Sequence, residues 1–235
     1  MNNLLIFYLT AVFLFPLSAV GNSADSVALK ENKLYMGIGL SNTSYHIYYK
    51  NPTTESAFIA GAVASGYFTP LALNLGYQAN NRISLQFGLA YGGSKNHGFL
   101  ADVYGVDYNF YSKTRVVAIS ITTRFIVLNA YKRFPIYATV SIMPAWGKTT
   151  LRSVENCNTV ITTKSAQDAG MNLFATAGVG FNYKIWRRFT GYAEVLLVKS
   201  NLTGENSRYY DWRGESPQYI QVISSLAFGF NYNFR

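Results

Sequence analysis

The sequence predicts an all-β fold, an eight-stranded antiparallel up-and-down transmembrane β-barrel. Three observations predict it. Apolar residues recur at every second position rather than at helical spacing. Charged residues make up 13% of the 235 residues while aromatics reach 16%, a pairing that suits a surface not facing water all round. The connections between the alternating segments switch sharply between short and long, as membrane barrels require.

The chain opens with an apolar run from Leu4 to Leu17, interrupted by Pro16 and followed by small residues. A spanning helix needs roughly 20 apolar residues, so residues 1–24 read as an export signal cleaved after Gly21 or Ala24. No composition break or linker divides the remainder, and residues 25–235 are expected to form one outer-membrane β-barrel domain.

The alternation then runs through eight strands. KLYMGIGL sets Leu34, Met36, Ile38 and Leu40 against Tyr35, Gly37 and Gly39; TPLALNLGYQ sets Leu71, Leu73, Leu75 and Tyr77 against Ala72, Asn74 and Gly76. RISLQFGLAYGG follows after three residues, so these two segments form a hairpin. RVVAISITTRF, IYATVSIMPAW, NLFATAGVGFNY, RFTGYAEVLLV and the closing LAFGFNYNFR repeat the scheme. Long connections are expected near 46–66, 93–113, 148–169 and 201–217, and short ones near 79–81, 127–134 and 184–187.

A soluble lipocalin-like barrel would show the same alternation with the apolar face inside. Here the polar faces hold Gly, Ser, Thr, Asn and Gln with scarcely any Lys or Glu, which suits a narrow lumen and puts the apolar faces in lipid. Aromatics gather where interfaces are expected: Tyr77, Phe125, Tyr183 and Phe189 near the short turns, Tyr91 and Trp146 at the other rim. Closure follows, since an open sheet edge in hydrocarbon leaves backbone groups unpaired.

The last strand, with Gly229 followed by Tyr232 and Phe234, resembles the C-terminal β-signal of bacterial outer-membrane proteins. That resemblance implies recognition by the barrel-assembly machinery. Over the whole mature length the order of strands and loops resembles the small eight-stranded OmpA/OmpX-type barrel family of the Gram-negative cell envelope, which implies location in the bacterial outer membrane.

The formal net charge is +9, yet the bases and acids of the four long connections cancel. The short turns hold Arg82, Lys132, Arg133, Lys184, Arg187 and Arg188 without an acid, a basic collar suited to anionic headgroups on the periplasmic side. Eight strands enclose a lumen that side chains can fill, and Phe174, Tyr137, Tyr192 and Tyr35 are expected inside it. Glu194 is the inward acid, with Arg124 and Arg188 the inward bases. A buried carboxylate demands a partner, so an internal ion-pair plug is expected.

An outer-membrane lipid-modifying enzyme would need a His and a Ser at the outer rim. The two histidines, His46 and His97, have Ser44 and Ser94 nearby but in no recognisable catalytic pattern. No catalytic residues are assigned. The single cysteine, Cys157, excludes a disulfide framework or thiolate metal site, and no cofactor motif, metal-ligand cluster or nucleic-acid signature is found. Function is expected in the loops: FLADVYGVDYNFYSK and ENSRYYDWRGES mix Tyr with Asn, Ser and Asp, as binding surfaces do. Adhesion or ligand binding through these loops is the leading expectation, with a narrow channel for small solutes and the lipid-modifying enzyme as alternatives. Expected partners are outer-membrane lipids, lipopolysaccharide and a possible surface ligand; a monomer is expected, and nucleic acid is not.

Overall fold

Ten strands appear in the computed structural model, which describes residues 34–49, 66–103, 105–130, 134–157, 160–203 and 225–234. They are β1 (Leu34–Ser41), β2 (Tyr45–His46), β3 (Tyr67–Phe68), β4 (Leu71–Gln78), β5 (Ile83–Val103), β6 (Val106–Ala130), β7 (Phe134–Cys157), β8 (Val160–Lys184), β9 (Phe189–Asn201) and β10 (Leu226–Asn233). Eight of them close an antiparallel barrel in the order β1-β10-β9-β8-β7-β6-β5-β4. Closure is made by β1 and β10, registered from Tyr35 opposite Asn233 to Ser41 opposite Ala227. The expected export signal, with Lys132, Arg133 and the segment ENSRYYDWRGES, lies outside the described residues.

The outward face is apolar and bare. Leu73, Phe87, Leu89, Ile121 and Phe230 are each at least half exposed, which water would penalise and lipid would not. On β5 the band runs from Ile83 to Tyr91, matching the roughly 9–11 residues a tilted strand needs to cross a bilayer. Tyr77 and Phe189 stand exposed near its short-turn edge and Tyr91 and Trp146 at the opposite edge; Phe125 and Tyr183 are half-buried near the short turns. Tyr183 lies against Gly191, its register partner on β9.

Two expected loops are strand instead. Residues 93–113 and 148–169 are read from the sequence as connections; in the structure β5 pairs with β6 out to Val103 opposite Val106, and β7 with β8 out to Cys157 opposite Val160. Both faces of these extensions lie beyond the apolar band, so hydrophobicity stops alternating while the backbone ladder continues. The β5–β6 turn is closed by Gly105 at φ 76°, a left-handed conformation that favours glycine. Short turns lie at the other end, where the Asn80 side chain accepts bonds from the amides of Arg82 and Ile83, each 2.8 Å.

One bulge re-phases β9. Ala177 pairs with Val198 and Gly178 with Leu196, leaving Leu197 unpaired. Leu197 and Val198 are consequently both exposed on the lipid side, and Lys199, which strict alternation would send outward, turns into the barrel. Its Nζ donates to the Ser44 carbonyl at 2.8 Å. Re-aiming a side chain is what bulges in barrels do.

Candidate functional site

The lumen is filled in two storeys. The lower one rests on tyrosines seated over glycines of the neighbouring strand. Tyr35 is opposite Gly76, Tyr192 opposite Gly229, and Tyr137 opposite Gly180. A Cβ at Gly229 would stand 2.6 Å from the Tyr192 ring, and one at Gly180 2.8 Å from that of Tyr137, so each ring occupies the space its partner leaves.

Among these rings sits Arg124, 5% exposed. Its Nε donates to Glu194 Oε1 at 2.7 Å and its Nη1 to Gln86 Oε1 at 2.6 Å. Tyr137 Oη donates to the same Glu194 oxygen at 2.9 Å. The guanidinium carbon lies 4.6 Å from the Tyr192 ring centre and 5.3 Å from that of Tyr137, within cation–π reach. Charge, planar donors and ring faces are thus all engaged, as a buried ion pair demands.

Arg188 is not in this cluster. It precedes β9, six residues from Glu194 and therefore roughly 20 Å along the strand, and its Nη1 donates to Tyr232 Oη at 2.9 Å. Sequence parity places it inward without measuring that distance. Arg82, Lys184 and Arg187 are exposed at the same short-turn end. Of the C-terminal residues, Gly229 faces inward beneath Tyr192, while Tyr232 packs edge-on between Phe189 and Phe234 at 5.3 and 5.6 Å.

The alternation of the eight barrel strands does not disclose the upper storey. Between β1 and β4, strands β2 and β3 pair with each other and fold into the barrel. Tyr45, Ile47 and Phe68 pack with Phe174, Met143, Val116 and the alanines 90, 118 and 145. Ring centres of Tyr45 lie 5.5 Å from Phe68 and 5.2 Å from Phe174. The wall makes room with two inward rows: Ala90, Ala118 and Ala145 lie on one register level, and Gly92, Val116, Gly147 and Gly170 on the next. Ile47 is fully buried, and its Cγ1 would stand 2.6 Å from a Cβ at Gly147.

Polar bonds fix the inner segment. The Tyr48 amide donates to Asn172 Oδ1 and Asn172 Nδ2 donates back to the Tyr48 carbonyl, both at 3.0 Å. The Gly66 amide donates to Thr114 Oγ1 at 2.9 Å, and the Gly66 carbonyl accepts from Ile47 at 2.8 Å. A signal for this plug is present in YHIYY, where Tyr45, Ile47 and Tyr49 alternate, but the run is too short to register as a strand. Between the storeys lies a cavity of about 110 Å³, lined by the hydroxyls of Ser120, Thr122 and Thr139 together with apolar Met143 and Leu196, and floored by Arg124 and Glu194.

The histidines are kept apart by the wall. His46 packs on Tyr67 at 4.4 Å within the inner hairpin, whereas His97 stacks on Tyr111 at 4.6 Å on the outer face of β5. Ser94 stands on the opposite face of β5 from His97, three residues away. No group of metal ligands occurs among the described residues.

The ring closure, the bare apolar band and the filled interior decide the architecture. This chain is an eight-stranded transmembrane β-barrel. No family model matches it, and no curated protein matches. Among solved structures it is similar to a major outer membrane protein of Thermus thermophilus, at 12% identity and TM-score 0.42, covering 86% of this chain and 99% of that one. It is also similar to the Escherichia coli Outer Membrane Protein W, at 13% identity and TM-score 0.37, covering 87% and 98%. The attachment invasion locus protein Ail of Yersinia pestis overlaps at 12% identity and TM-score 0.31, covering 85% and 91%. Overlaps this shallow carry no role from those proteins to this one, and the architecture rests on the strand register and the exposed apolar wall.

Proposed function

We propose that the protein is a closed outer-membrane barrel whose two extended hairpins form a rigid external platform for binding at the cell surface. The supporting observation is the asymmetry of construction. The lumen is blocked by its own side chains and by the inner hairpin, whereas β5 to β8 run on past the apolar band. Short turns and both chain ends of the barrel would face the periplasm, as in barrels of this type. The exposed Phe99 and the His97–Tyr111 stack offer stiff aromatic contact area on the platform. We assign no catalysis: among the described residues His46 sits in the inner hairpin, His97 on the outer face of β5, and Ser94 on the opposite face of β5 from His97.

Removing the hairpin residues 97–111 or 154–163, each replaced by a two-residue turn, tests the platform. Cells carrying either truncation should lose adherence to abiotic or host surfaces while the shortened barrel still folds in detergent. Unchanged adherence with both truncations would remove the platform reading. The cavity above the Arg124–Glu194 pair, lined by hydroxyls and by apolar side chains such as Met143 and Leu196, supports a second reading, a narrow passage for small solutes that opens when that pair parts.

A further inference from the structure

In the sequence, the bases and acids of the long connections balance; next to the apolar band of the folded sheet they separate, with the outward acid Asp107 lying beyond the basic rows, opposite Asn156, and Lys164 inward beside Glu155. Parity sends Glu155 and Asp168 to the inward face, where Asp168 is 7% exposed and Glu155 accepts from Lys164 at 2.8 Å. It sends Lys95, Lys113, Arg115, Lys148 and Arg152 outward, and all five are exposed. Arg115 is the direct cross-strand partner of Lys148, and Lys95 of Lys113. Like charges placed opposite one another destabilise a sheet, and no salt bridge among the described residues relieves them: the two present are Arg124–Glu194 and Lys164–Glu155. Such a face calls for an external anion.

Its height says which. The first of these rows, Arg115 with Lys148, lies one outward step beyond Val117 and Trp146, which mark the rim of the apolar band. The five side chains span three adjacent strands and three successive outward positions, roughly 10 Å by 13 Å, enough for more than one phosphate. We propose that this face binds the phosphorylated headgroup of an outer-leaflet glycolipid, a lipopolysaccharide, whose acyl chains run down the apolar wall beneath. A soluble polyanion would have no reason to be met at the rim rather than at the hairpin tips. The inference rests on the outer-membrane orientation proposed above, but not on the closed lumen or on adhesion.

The test uses full-length mature protein refolded in zwitterionic detergent and titrated with lipopolysaccharide, with the same lipopolysaccharide dephosphorylated, and with heparin. The variant carries Lys95→Gln, Lys113→Gln, Arg115→Gln, Lys148→Gln and Arg152→Gln, with folding read by its anomalous migration when unboiled. A control carries Arg82→Gln, Lys184→Gln and Arg187→Gln at the opposite rim. The wild type and control should bind the phosphorylated lipid at least about tenfold more tightly than either the dephosphorylated lipid or heparin, and the folded five-site variant should lose that preference. Equal binding of phosphorylated and dephosphorylated lipid, equal binding by the variant, or heparin binding as tight as lipid would each overturn the proposal. Should the five-site variant fail to fold, Arg115→Gln with Lys148→Gln alone must lower the preference, and an unchanged preference in that pair also overturns it.

Discussion

Arg124 does most to fix the barrel interior, because among the described residues its one salt bridge is to the buried Glu194. It meets Glu194, Gln86 and two ring faces at once. Glu194→Gln leaves the guanidinium buried without its counter-charge, and breaking one side of such a pair costs about 3 kcal/mol or more. Urea unfolding of the vesicle-refolded variant should show that loss, and a midpoint equal to wild type would mean the pair is solvated. The participants are readable from alternation, since Glu194, Arg124, Tyr137 and Tyr192 all carry inward parity. Their pairing is not, because it depends on register between strands far apart in sequence: Tyr192 finds Gly229, and Tyr137 finds Gly180, only once the ladder is set. Arg188 shows the limit of parity alone, for it carries inward parity yet lies at the wrong height and reaches Tyr232 on the outward face.

Strands are legible where one face meets lipid, and only there. From Ile83 to Tyr91 the alternation is unbroken, so β5 is visible; from Gly93 onward both faces meet water or other protein, and the signal ends though the strand does not. The bulge at Leu197 has no mark in EVLLV beyond two adjacent apolar residues that both turn out to face lipid. The inner hairpin is hidden for a different reason, since its apolar residues gain burial through tertiary packing on Gly147, Gly92 and Phe174 rather than through a repeating pattern. Gly147→Val places a side chain where Ile47 lies, and overpacking of this kind costs roughly 2 kcal/mol. Chymotrypsin should then cut among Tyr45, Tyr48 and Tyr49 in the refolded variant and spare them in the wild type; equal protection would show that the segment does not depend on this seat. At the tip of the β7–β8 hairpin, the chain's single cysteine, Cys157, is exposed. A membrane-impermeant maleimide should label it on intact cells, and labelling only after the envelope is opened would reverse the orientation.

At the scale of the whole molecule, two opposite requirements are met by one ladder. Hydrocarbon demands that every backbone group be paired within the protein, which ring closure through β1 and β10 satisfies. A ring of eight strands then leaves an interior that must be filled or hydrated. This chain fills its lower half with tyrosines around an ion pair and its upper half with a piece of its own first connection. Hydroxyls and apolar side chains such as Met143 and Leu196 together line the 110 Å³ between, room for about three or four waters at their liquid volume. Eight strands, their outward faces and the lumen's polarity follow from alternation and composition; occlusion by a returning segment does not, because it needs the three-dimensional neighbours of residues 45–49.

Electrical recording across a planar lipid bilayer containing the refolded mature protein tests this occlusion most directly. Wild type should show no steady conductance in salt solution, and Glu194→Gln combined with Gly147→Val should show brief openings as both storeys loosen. A steady open pore in the wild type, under conditions where the protein migrates as a folded barrel, would contradict the account.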